Sequence, residues 1–541
     1  MNAAGVLAEV GEERAVVIGN GPVGQTAALL LARWGVPVLV LDQRPARDLV
    51  GSKAICQQRD VLDVWAAVGA GARIAAEGVT WTTARTFHRG TELFSVTFAD
   101  AGRSRFPPFV NLSQSRTEQI LDECVAAQPL IETRWGCRVT RLAQDAEGVT
   151  LTCADGPELR AAYVLACPGA RCDGMREHLG VTFEGRSFDD RFLICDIRTD
   201  LPGWATERRF HFDPEWNPGR QVLVHPCPDS TFRIDWQVPP GYDLDAERAS
   251  GALDRRIRTV IGDRPYELVW SSVYRFHSRC ADRMRVGRVL LAGDAAHLMA
   301  PFGARGLNSG VADAENAAWK IAFVLRGWAP EQLLESYHDE RHAAARENLA
   351  ITGATMDFLV PQDAAAAAHR RDVLARAADD PAARALVDSG RLAEPFWYVD
   401  SPLTTPSPAH PFPGRPPGGA VPPAGPGVLV PDAPVSGYEC SSTRIHSRPP
   451  GRFRELARDG FLLLATPGAD LDAVRAASVP APVRVCELAA IDETGALAAA
   501  LDARPGEVWV VRPDAHVAAV LERPTAEAIE AALGRAVGAV P

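Results

Sequence analysis

The chain has 541 residues, of which 47% are apolar and 7% aromatic, with a formal net charge of −11 and a pI near 5.6. A chain of this length divides into several domains, and its acidic balance argues against a nucleic-acid partner, which needs a basic surface. Its apolar runs are far shorter than a bilayer span, and its first residues lack a secretory signal, so we expect a cytoplasmic protein without membrane contact.

Residues 1–180 alternate short apolar runs with stretches of helical period. The runs are typical of buried parallel strands, and apolar residues that recur every three or four positions indicate helices. The predicted elements are a strand at Ala15–Ile18, a helix at Gln25–Arg33, a strand at Val36–Leu41, helices at Lys53–Val68 and Arg116–Ala127, and strands at Val149–Cys153 and Tyr163–Ala166. This alternation favours an α/β domain with a parallel sheet.

Gly19, Gly21 and Gly24 lie between the first strand and the first helix, in the pattern Gly-x-Gly-x-x-Gly. The first glycine permits a tight turn, the second lets the backbone approach a pyrophosphate, and the third allows close packing of the helix on the strand. Asp42 follows Gly24 by eighteen residues, where an acidic side chain holds a ribose hydroxyl. The combination predicts a Rossmann-type site for FAD or NAD, because the acid disfavours a 2′-phosphate.

Residues 181–270 change to strands separated by turns. Residues 220–225 and 231–237 flank a Pro-Cys-Pro-Asp-Ser turn, which predicts a hairpin. Side chains alternate between faces, so one face is predicted to carry Val222, Val224, Phe232, Ile234 and Trp236, and the other Leu223, His225, Arg233, Asp235 and Gln237. We expect a second domain built on an antiparallel sheet, with one face on its core and the other over the first domain.

Residues 271–400 return to the first domain, with a strand at Arg288–Ala292 and helices at Gly310–Leu325 and Leu333–Ala350. Many prolines and several glycines in residues 401–427 predict a linker. Residues 428–541 then predict a separate α/β unit, with strands at Phe461–Ala465 and 508–513 and a helix at Pro524–Val537. The eleven cysteines are scattered without any Cys-x-x-Cys, which predicts free thiols and no metal site.

A second motif follows the strand at Arg288–Ala292. It reads Gly-Asp-Ala-Ala-His at residues 293–297 and continues through Pro301, Gly306, Asn308, Gly310, Asp313, Trp319 and Lys320. With these residues and the N-terminal glycine motif, residues 15–360 resemble the flavoprotein aromatic hydroxylases, the single-component FAD monooxygenases that include phenol and hydroxyphenylpropionate hydroxylases. The resemblance implies that the bound nucleotide is FAD.

The resemblance also assigns flavin contacts to the second motif. It implies that Asp294 hydrogen-bonds the ribityl chain, and that backbone from Gly306 through Leu307 to Asn308 cradles the isoalloxazine edge. Backbone donors there stabilise negative charge on a reduced flavin. The alternative for Asp294 is that it only caps the helix that follows.

Two further family positions and one departure bear on the cofactor. Lys53 is a candidate partner of the flavin pyrophosphate, or else a solvated side chain, and Gln114 is a candidate flavin contact, or else only a polar residue at a helix entry. The family's middle motif is Asp-Gly followed by Ala-Arg-Ser, whereas this chain has Pro168 in place of the acid and Cys172 in place of the serine. In the family that Asp helps to bind both flavin and the nicotinamide donor, and proline offers neither charge nor N–H.

Substrate contacts are expected from the hairpin and the second motif. His225 or His211 is a candidate base for a phenol, because histidine titrates near neutral pH. A lone histidine is often structural instead, and His297 is expected to be so. The candidate substrate contacts are Arg233, Asp235, Trp236 and Pro301.

The C-terminal unit resembles the thioredoxin-like domain appended to several of these hydroxylases, through its Val-Arg-Pro-Asp-x-His-Val-Ala segment at residues 511–518. Because it lacks Cys-x-x-Cys, we expect structural support or dimer packing from it and no thiol redox role. The fold class is therefore α/β: a Rossmann-type FAD-binding domain with an inserted antiparallel substrate domain, followed by a thioredoxin-like domain.

As a function, the resemblance implies an aromatic-ring monooxygenase. NAD(P)H would reduce FAD, O2 would add to the flavin as a C4a-hydroperoxide, and one oxygen atom would enter a phenolic or polyketide-like ring. The expected partners are a small aromatic substrate, O2 and NAD(P)H, with a homodimer as the family-based expectation. The alternative, motivated by Pro168, is a non-redox enzyme that retains flavin as part of a cyclase-like scaffold, and a third hypothesis is a FAD-containing binding or sensor protein.

Overall fold

The computed structural model describes residues 14–51, 53–98, 104–154, 156, 158–416, 420–436 and 451–539. Its strands are, in chain order, β1 (Ala15–Ile18), β2 (Val38–Asp42), β3 (Cys56–Gln58), β4 (Val79–Thr80), β5 (Thr83–His88), β6 (Thr91–Thr97), β7 (Phe109–Asn111), β8 (Ile131–Trp135), β9 (Val139–Gln144), β10 (Val149–Cys153), β11 (Leu159–Ala161), β12 (Tyr163–Ala166), β13 (Phe183–Arg198), β14 (Glu207–Phe212), β15 (Gln221–Cys227), β16 (Thr231–Val238), β17 (Glu267–Ala281), β18 (Arg285–Val286), β19 (Val289–Leu291), β20 (His297–Leu298), β21 (Phe461–Ala465), β22 (Val483–Glu487), β23 (Glu507–Val511) and β24 (Val517–Glu522).

Its α-helices are α1 (Pro22–Arg33), α2 (Arg59–Ala66), α3 (Gly71–Glu77), α4 (Gln114–Ala126), α5 (Asp173–His178), α6 (Leu244–Ala249), α7 (Ala252–Ile261), α8 (Arg305–Leu325), α9 (Glu335–Leu359), α10 (Ala364–Arg376), α11 (Pro381–Arg384), α12 (Phe453–Leu456), α13 (Leu471–Ala476), α14 (Leu488–Ile491), α15 (Ala496–Leu501) and α16 (Ala526–Ala536). Of the described helices, none is both long and apolar enough to cross a membrane.

A six-stranded sheet forms the nucleotide-binding domain, in the order β18-β19-β12-β1-β2-β8. The strands from β19 to β8 run parallel, and the residues of β1, β2 and β12 are fully buried, as expected for a parallel sheet covered on both faces. Helices α1 and α8 pack closely because Gly310 carries no Cβ, which would lie 2.6 Å from the Val23 side chain. The predicted α/β fold class with a Rossmann-type domain is confirmed.

The second domain is an eight-stranded sheet in the order β20-β17-β13-β16-β15-β14-β5-β6. Only the pairing of β14 with β5 is parallel. The sheet exceeds the predicted range of 181–270, because β5 and β6 join it from the first 100 residues and β17 continues to Ala281. The predicted hairpin is present, with Val222 opposite Trp236 and Val224 opposite Ile234.

The two faces of this sheet carry the residues that alternation predicts. One face packs on α7 in a buried cluster that contains Val222, Val224, Phe232, Ile234 and Trp236. On the other face, Leu223 joins a separate cluster with Phe192, Phe210, Phe302 and Met356.

The C-terminal unit has a four-stranded sheet in the order β22-β21-β23-β24, in which β21 and β22 are parallel and the other pairs antiparallel. Its core is continuous with the first domain, since Phe461 of β21 makes edge contacts with Trp319 and Phe323 of α8. The described part of the predicted linker packs along β24, where the N–H groups of Thr405 and Gly427 donate to the carbonyls of Ala518 and Val517. That segment therefore holds the unit in place rather than tethering it loosely.

One predicted helix is wrong in its first half. The sequence favours helix from Lys53 to Val68, but Cys56–Gln58 forms β3, which pairs with β7, and α2 begins only at Arg59. The pairing joins segments about fifty residues apart, so a period read along the chain does not reveal it. Helix α8 also begins at Arg305, before the predicted start at Gly310.

Candidate functional site

The three glycines of the N-terminal motif meet different surroundings. Gly19 has φ of +99°, and a Cβ there would lie 2.2 Å from the Cys167 carbonyl oxygen; a Cβ at Gly24 would lie 1.9 Å from the Gly19 carbonyl oxygen. A Cβ at Gly21 would meet nothing within 4 Å. The fold itself therefore requires Gly19 and Gly24, whereas Gly21 leaves open space in front of the helix.

That space faces the N-terminus of α1. Its N-cap is Gly21, no side chain caps it, Pro22 begins the helix, and its first turn contains no acidic residue. The side-chain oxygen of Asn20 is buried, and no described residue hydrogen-bonds to it. Free N–H groups and the positive end of the helix dipole form a site for a phosphate.

Asp42 lies at the end of β2, beside the glycine loop. Its carboxylate accepts hydrogen bonds from the Asn20 N–H at 2.8 Å, and from the backbone and guanidinium of Arg44 at 2.8 to 3.0 Å. Burial would raise the pKa of Asp42, but these hydrogen bonds outweigh it and the pKa is lowered. These four bonds occupy the carboxylate, so the predicted contact with a ribose hydroxyl requires that the hydroxyl replace one of the Arg44 bonds.

Asp294 projects from the second motif. It is exposed between the buried Gly293 and Ala295, makes no hydrogen bond with the described residues, and has its pKa raised by the protein that surrounds it. The Asp294 carboxylate is therefore accessible to a ligand. His297 and, to a smaller extent, Lys53 oppose this rise in the pKa of Asp294 electrostatically, so the two cofactor residues predicted from the sequence influence each other.

Asp313 of α8 hydrogen-bonds to this loop. Its carboxylate accepts from the Gly293 N–H at 3.0 Å, contacts His297 Nε2 at 2.7 Å and accepts from Arg341 Nε at 2.6 Å. His297 is buried within these contacts, which agrees with the structural role expected for it.

The start of α8 is a second uncapped helix N-terminus. Its N-cap, Ala304, is left-handed with φ of +58°, and a Cβ at Gly306 would meet nothing within 4 Å. Asn308 accepts from the Gln58 N–H at 3.1 Å and donates to the Cys56 carbonyl at 3.0 Å. The Asn308 side chain thus ties α8 to β3, while the backbone from Gly306 to Asn308 has room to meet a ligand edge.

Gln114 and Lys53 are linked through one short loop. Gln114 Oε1 accepts from the Ala54 N–H at 3.1 Å, and Lys53 is itself exposed. The Lys53 carbonyl accepts from Arg233 Nη1 at 3.2 Å, which joins this loop to the eight-stranded sheet. Gln114 therefore positions the segment that carries Lys53.

The polar face of the hairpin meets the nucleotide-binding domain. His225 Nε2 lies 3.6 Å from an Asp235 carboxylate oxygen, and Arg233 forms an ion pair with Asp196 at 2.8 Å. The other oxygen of Asp235 is buried without a hydrogen bond to any described residue. Burial lowers the pKa of His225 more than Asp235 raises it, so its ring is neutral at neutral pH.

The remaining candidates lie elsewhere. Trp236 is fully buried in the cluster on the opposite face, so a substrate on the polar face does not touch it. His211 also belongs to that opposite face, where it stacks on Phe87 at 4.7 Å and burial lowers its pKa to about 4. Pro301 is exposed ahead of α8. Of the two candidate bases, the geometry favours His225.

Sequence reasoning missed Arg208, a buried cation in β14 on the same face as His225. The signal was present, because alternation groups Arg208 with Phe210 and Phe212 on an apolar face. It also missed the role of Asp313, whose buried contacts come from two other segments, the motif at residues 293–297 and α9.

The profile of the FAD binding domain family matches residues 12–352. The chain belongs to this family. It is 31% identical over 367 residues to a 3-(3-hydroxyphenyl)propionate/3-hydroxycinnamic acid hydroxylase of Comamonas testosteroni, a match that covers 66% of this chain and 61% of the relative. It is 34% identical over 368 residues to a rifampicin monooxygenase of Streptomyces venezuelae, covering 66% and 73%. The chain thus spans about six tenths of the length of the first relative.

A solved structure extends the likeness to nearly the whole chain. Aklavinone-11 hydroxylase, in a ternary complex with FAD and aklavinone, superposes with a TM-score of 0.75 at 26% identity, covering 97% of this chain and 99% of that one. Membership of the family confirms the prediction of FAD. The residues present fit that group: the space at Gly21 is open, no side chain caps α1 or α8, and Asp294 makes no hydrogen bond with a described residue. The Val23 side chain at the start of α1 lies beside Gly293 and Gly310, which brings the two motifs together.

Proposed function

We propose that the protein is a FAD-dependent monooxygenase that hydroxylates a phenolic or polyketide-like ring with NAD(P)H and O2. The observation that carries the proposal is that the cofactor residues and the polar face of the sheet meet: Lys53 influences Asp294 by charge and binds Arg233 through its carbonyl. A cleft between a flavin site and a sheet is where an aromatic ring can be held against the flavin. The homodimer and the cytoplasmic location remain predictions.

FAD, when bound, supplies the acceptance of hydride from NAD(P)H and the activation of O2. The chain supplies binding and orientation: α1 would hold the pyrophosphate, Asp294 the ribityl chain, and the start of α8 the ring edge. Packed aromatic side chains, including Phe210 of β14 and Phe302 of the loop before α8, would exclude water on one side of the cleft.

His225 would take the proton from the phenol. Its ring is neutral because burial lowers its pKa, and Asp235 lies beside it to stabilise the protonated form. We expect His225→Gln to lower kcat by roughly 10²- to 10⁴-fold. The matched variant His211→Gln changes a histidine on the opposite face, so its kcat should stay close to the native value. Equal effects of the two substitutions would contradict this assignment.

The names of the relatives guide the choice of substrates. One is a hydroxyphenylpropionate and hydroxycinnamate hydroxylase, and a structural neighbour acts on aklavinone. FAD-loaded protein should therefore be incubated with NADPH or NADH, ¹⁸O2 and a panel containing these compounds and simple phenols. A product with one labelled oxygen atom supports the proposal, and consumption of NAD(P)H without any labelled product contradicts it.

A second candidate function is a non-redox enzyme that retains flavin. The observation that favours it is Pro168, whose Cα would lie 2.9 Å from a Cβ at Gly19, so that proline stands directly against the glycine loop. Anaerobic stopped-flow absorbance at ~450 nm, where oxidised flavin absorbs, separates the two. Bleaching by NAD(P)H that the substrate accelerates favours the monooxygenase, and no bleaching under any condition favours the non-redox enzyme.

A further inference from the structure

Arg208 is a buried cation on the sheet face that meets the nucleotide-binding domain. Arg208 is 5% exposed and shares this face with Phe210 and Phe212. It donates one long hydrogen bond, from Nη2 to the Ser389 carbonyl at 3.4 Å, and its guanidinium lies 5.7 Å from the Phe210 ring centre. Within the part of the chain that the structure describes, no carboxylate forms an ion pair with it.

Eight other arginines are buried among the described residues, and six of them have a carboxylate partner at 2.6 to 2.8 Å, as in the pairs Arg233–Asp196, Arg341–Asp313 and Arg512–Asp514. Arg305 and Arg370 form no ion pair with a described carboxylate, but Arg305 is held by three hydrogen bonds, so only Arg370 is as poorly partnered as Arg208. Burial lowers the pKa of Arg208 to about 10, although Cys56 and Asp235 act in the opposite direction. An unpaired buried charge is unfavourable, so Arg208 weakens the fold until an anion joins it.

The strand register places Arg208 beside the candidate base. The pairing of β14 with β15 ends with Arg209 opposite Val224, and Arg208 and His225 are the next residues along the two strands. His225 in turn lies opposite Arg233 on β16. Besides burial, the charge of Arg208 contributes to the lowered pKa of His225, so the two side chains are neighbours on this face.

Another neighbour of Arg208 is Cys56 of β3, which is hydrogen-bonded to the start of α8. The charge of Arg208 acts on the thiol of Cys56 in β3. The carbonyl of Cys56 accepts a hydrogen bond from Asn308 at the start of α8. Arg208 is thus a neighbour both of the candidate base and of β3, the strand that Asn308 ties to the start of α8.

We infer that Arg208 binds an oxyanion of the aromatic substrate, which is either a carboxylate substituent or an ionised ring hydroxyl. The inference rests on the proposed function, because it names the substrate class of the same site. Arg233 cannot serve in this way, since Asp196 already engages its guanidinium. A planar guanidinium presents paired donors that match two oxygens, and a pairing of this kind restores the charge balance that burial disturbs.

Binding to the FAD-loaded protein tests the inference without turnover. The probes are 3-(3-hydroxyphenyl)propionate, its neutral amide and 4-nitrophenol, titrated calorimetrically in the absence of NAD(P)H. The variants are Arg208→Met, Arg208→Lys and the matched control Arg370→Met. Arg370 is also buried with one hydrogen bond of 3.4 Å, to Gln221, but it lies over Phe212 at the far end of β14.

The native protein should prefer an anionic probe to the amide by about 10- to 150-fold, the range of one charge-assisted hydrogen bond. Arg208→Met should abolish this preference, Arg208→Lys should retain part of it, and Arg370→Met should keep it. A preference for the propionate identifies a carboxylate ligand, and a preference for 4-nitrophenol alone identifies an ionised hydroxyl. No preference in the native protein, or an equal preference in Arg208→Met, overturns the inference.

Thermal stability separates ligand binding from a structural role. Without ligand, Arg208→Met should unfold at the same or a higher temperature than the native protein, because it removes an unpaired buried charge. A clear fall in Tm would mean that Arg208 supports the fold and would overturn the inference. Anion preference without labelled product would refute the proposed function alone. Hydroxylation of the preferred anionic probe with an unchanged KM in Arg208→Met would refute the inference alone.

Discussion

Gly21→Ala should separate FAD binding from folding, because a Cβ at Gly21 meets no protein atom within 4 Å. The residue has φ of −87° and ψ of −178°, which alanine adopts without strain. Alanine restricts the unfolded chain and so stabilises by about 0.4–1 kcal/mol, but it is a poorer N-cap than glycine by a similar amount. We expect the free energy of unfolding of the apoprotein to change by less than ~1 kcal/mol.

The same methyl group occupies the space through which a pyrophosphate approaches α1. Loss of one charge-assisted hydrogen bond from a backbone N–H to phosphate weakens binding by about 1.5–3 kcal/mol, which is roughly a 10- to 150-fold rise in the Kd for FAD. Titration of the apoprotein with FAD, followed by the change in flavin fluorescence, measures the Kd. Urea unfolding of the apoprotein measures its stability.

Gly24→Ala is the matched control. Its Cβ would lie 1.9 Å from the Gly19 carbonyl oxygen and 3.2 Å from a Val17 side-chain carbon, so the backbone must shift and the apoprotein should lose about 1–3 kcal/mol of stability. If Gly21→Ala binds FAD with native affinity, or unfolds as readily as Gly24→Ala, the division of roles among the glycines is wrong.

Two further predictions concern buried charges. Arg512→Met should lower the free energy of unfolding by about 3–5 kcal/mol, since it leaves Asp514 without its buried arginine and Glu340 with Lys320 as its remaining buried cation. Arg475→Met, which removes an exposed pair, should change the free energy of unfolding by less than ~1 kcal/mol in the same urea assay. Similar losses in the two variants would contradict the argument. Burial would raise the pKa of Asp313, but its histidine and arginine neighbours lower it from 3.8 to about 2. The ionised Asp313 carboxylate therefore stabilises the fold fully above pH 3.8, and this stabilisation disappears toward pH 2. The difference in free energy of unfolding between the native protein and Asp313→Asn should shrink over that interval in acid denaturation. A difference that stays constant would contradict this prediction.

The nucleotide site was predictable because its signals are local. The first strand, the glycine turn, the helix and Asp42 occupy one continuous segment, and each element restricts the next. The hairpin faces were predictable for the same reason, since alternation along β15 and β16 needs only a correct turn. The sequence did not predict the role of Arg44, which donates three hydrogen bonds to the Asp42 carboxylate. A ribose hydroxyl would compete with Arg44 for this carboxylate.

Non-local pairing explains what the sequence did not reveal. The helix expected from Lys53 fails because β3 is fixed by β7, from which it is separated by about fifty residues. In the sequence, Arg208 is one of two adjacent arginines that follow Glu207. The pairings of β14 with β15 and β5 place Arg208 and Arg209 on opposite faces of the sheet, with Arg208 on the face of Phe210. A charged residue on the apolar side of an alternating strand was the one available signal.

The C-terminal unit is connected to the loop that carries Asp294 through a series of buried polar and aromatic side chains. Asp313 holds the Gly293 N–H and accepts from Arg341, whose Nη1 donates to the Tyr398 hydroxyl at 3.0 Å; the Tyr398 ring in turn lies 4.4 Å from that of His516 in the C-terminal unit. Each of these groups is buried, so the removal of one leaves another without its partner beneath the loop that carries Asp294. The C-terminal unit therefore supports the loop that carries Asp294 through these buried contacts, a structural role that needs no thiol pair.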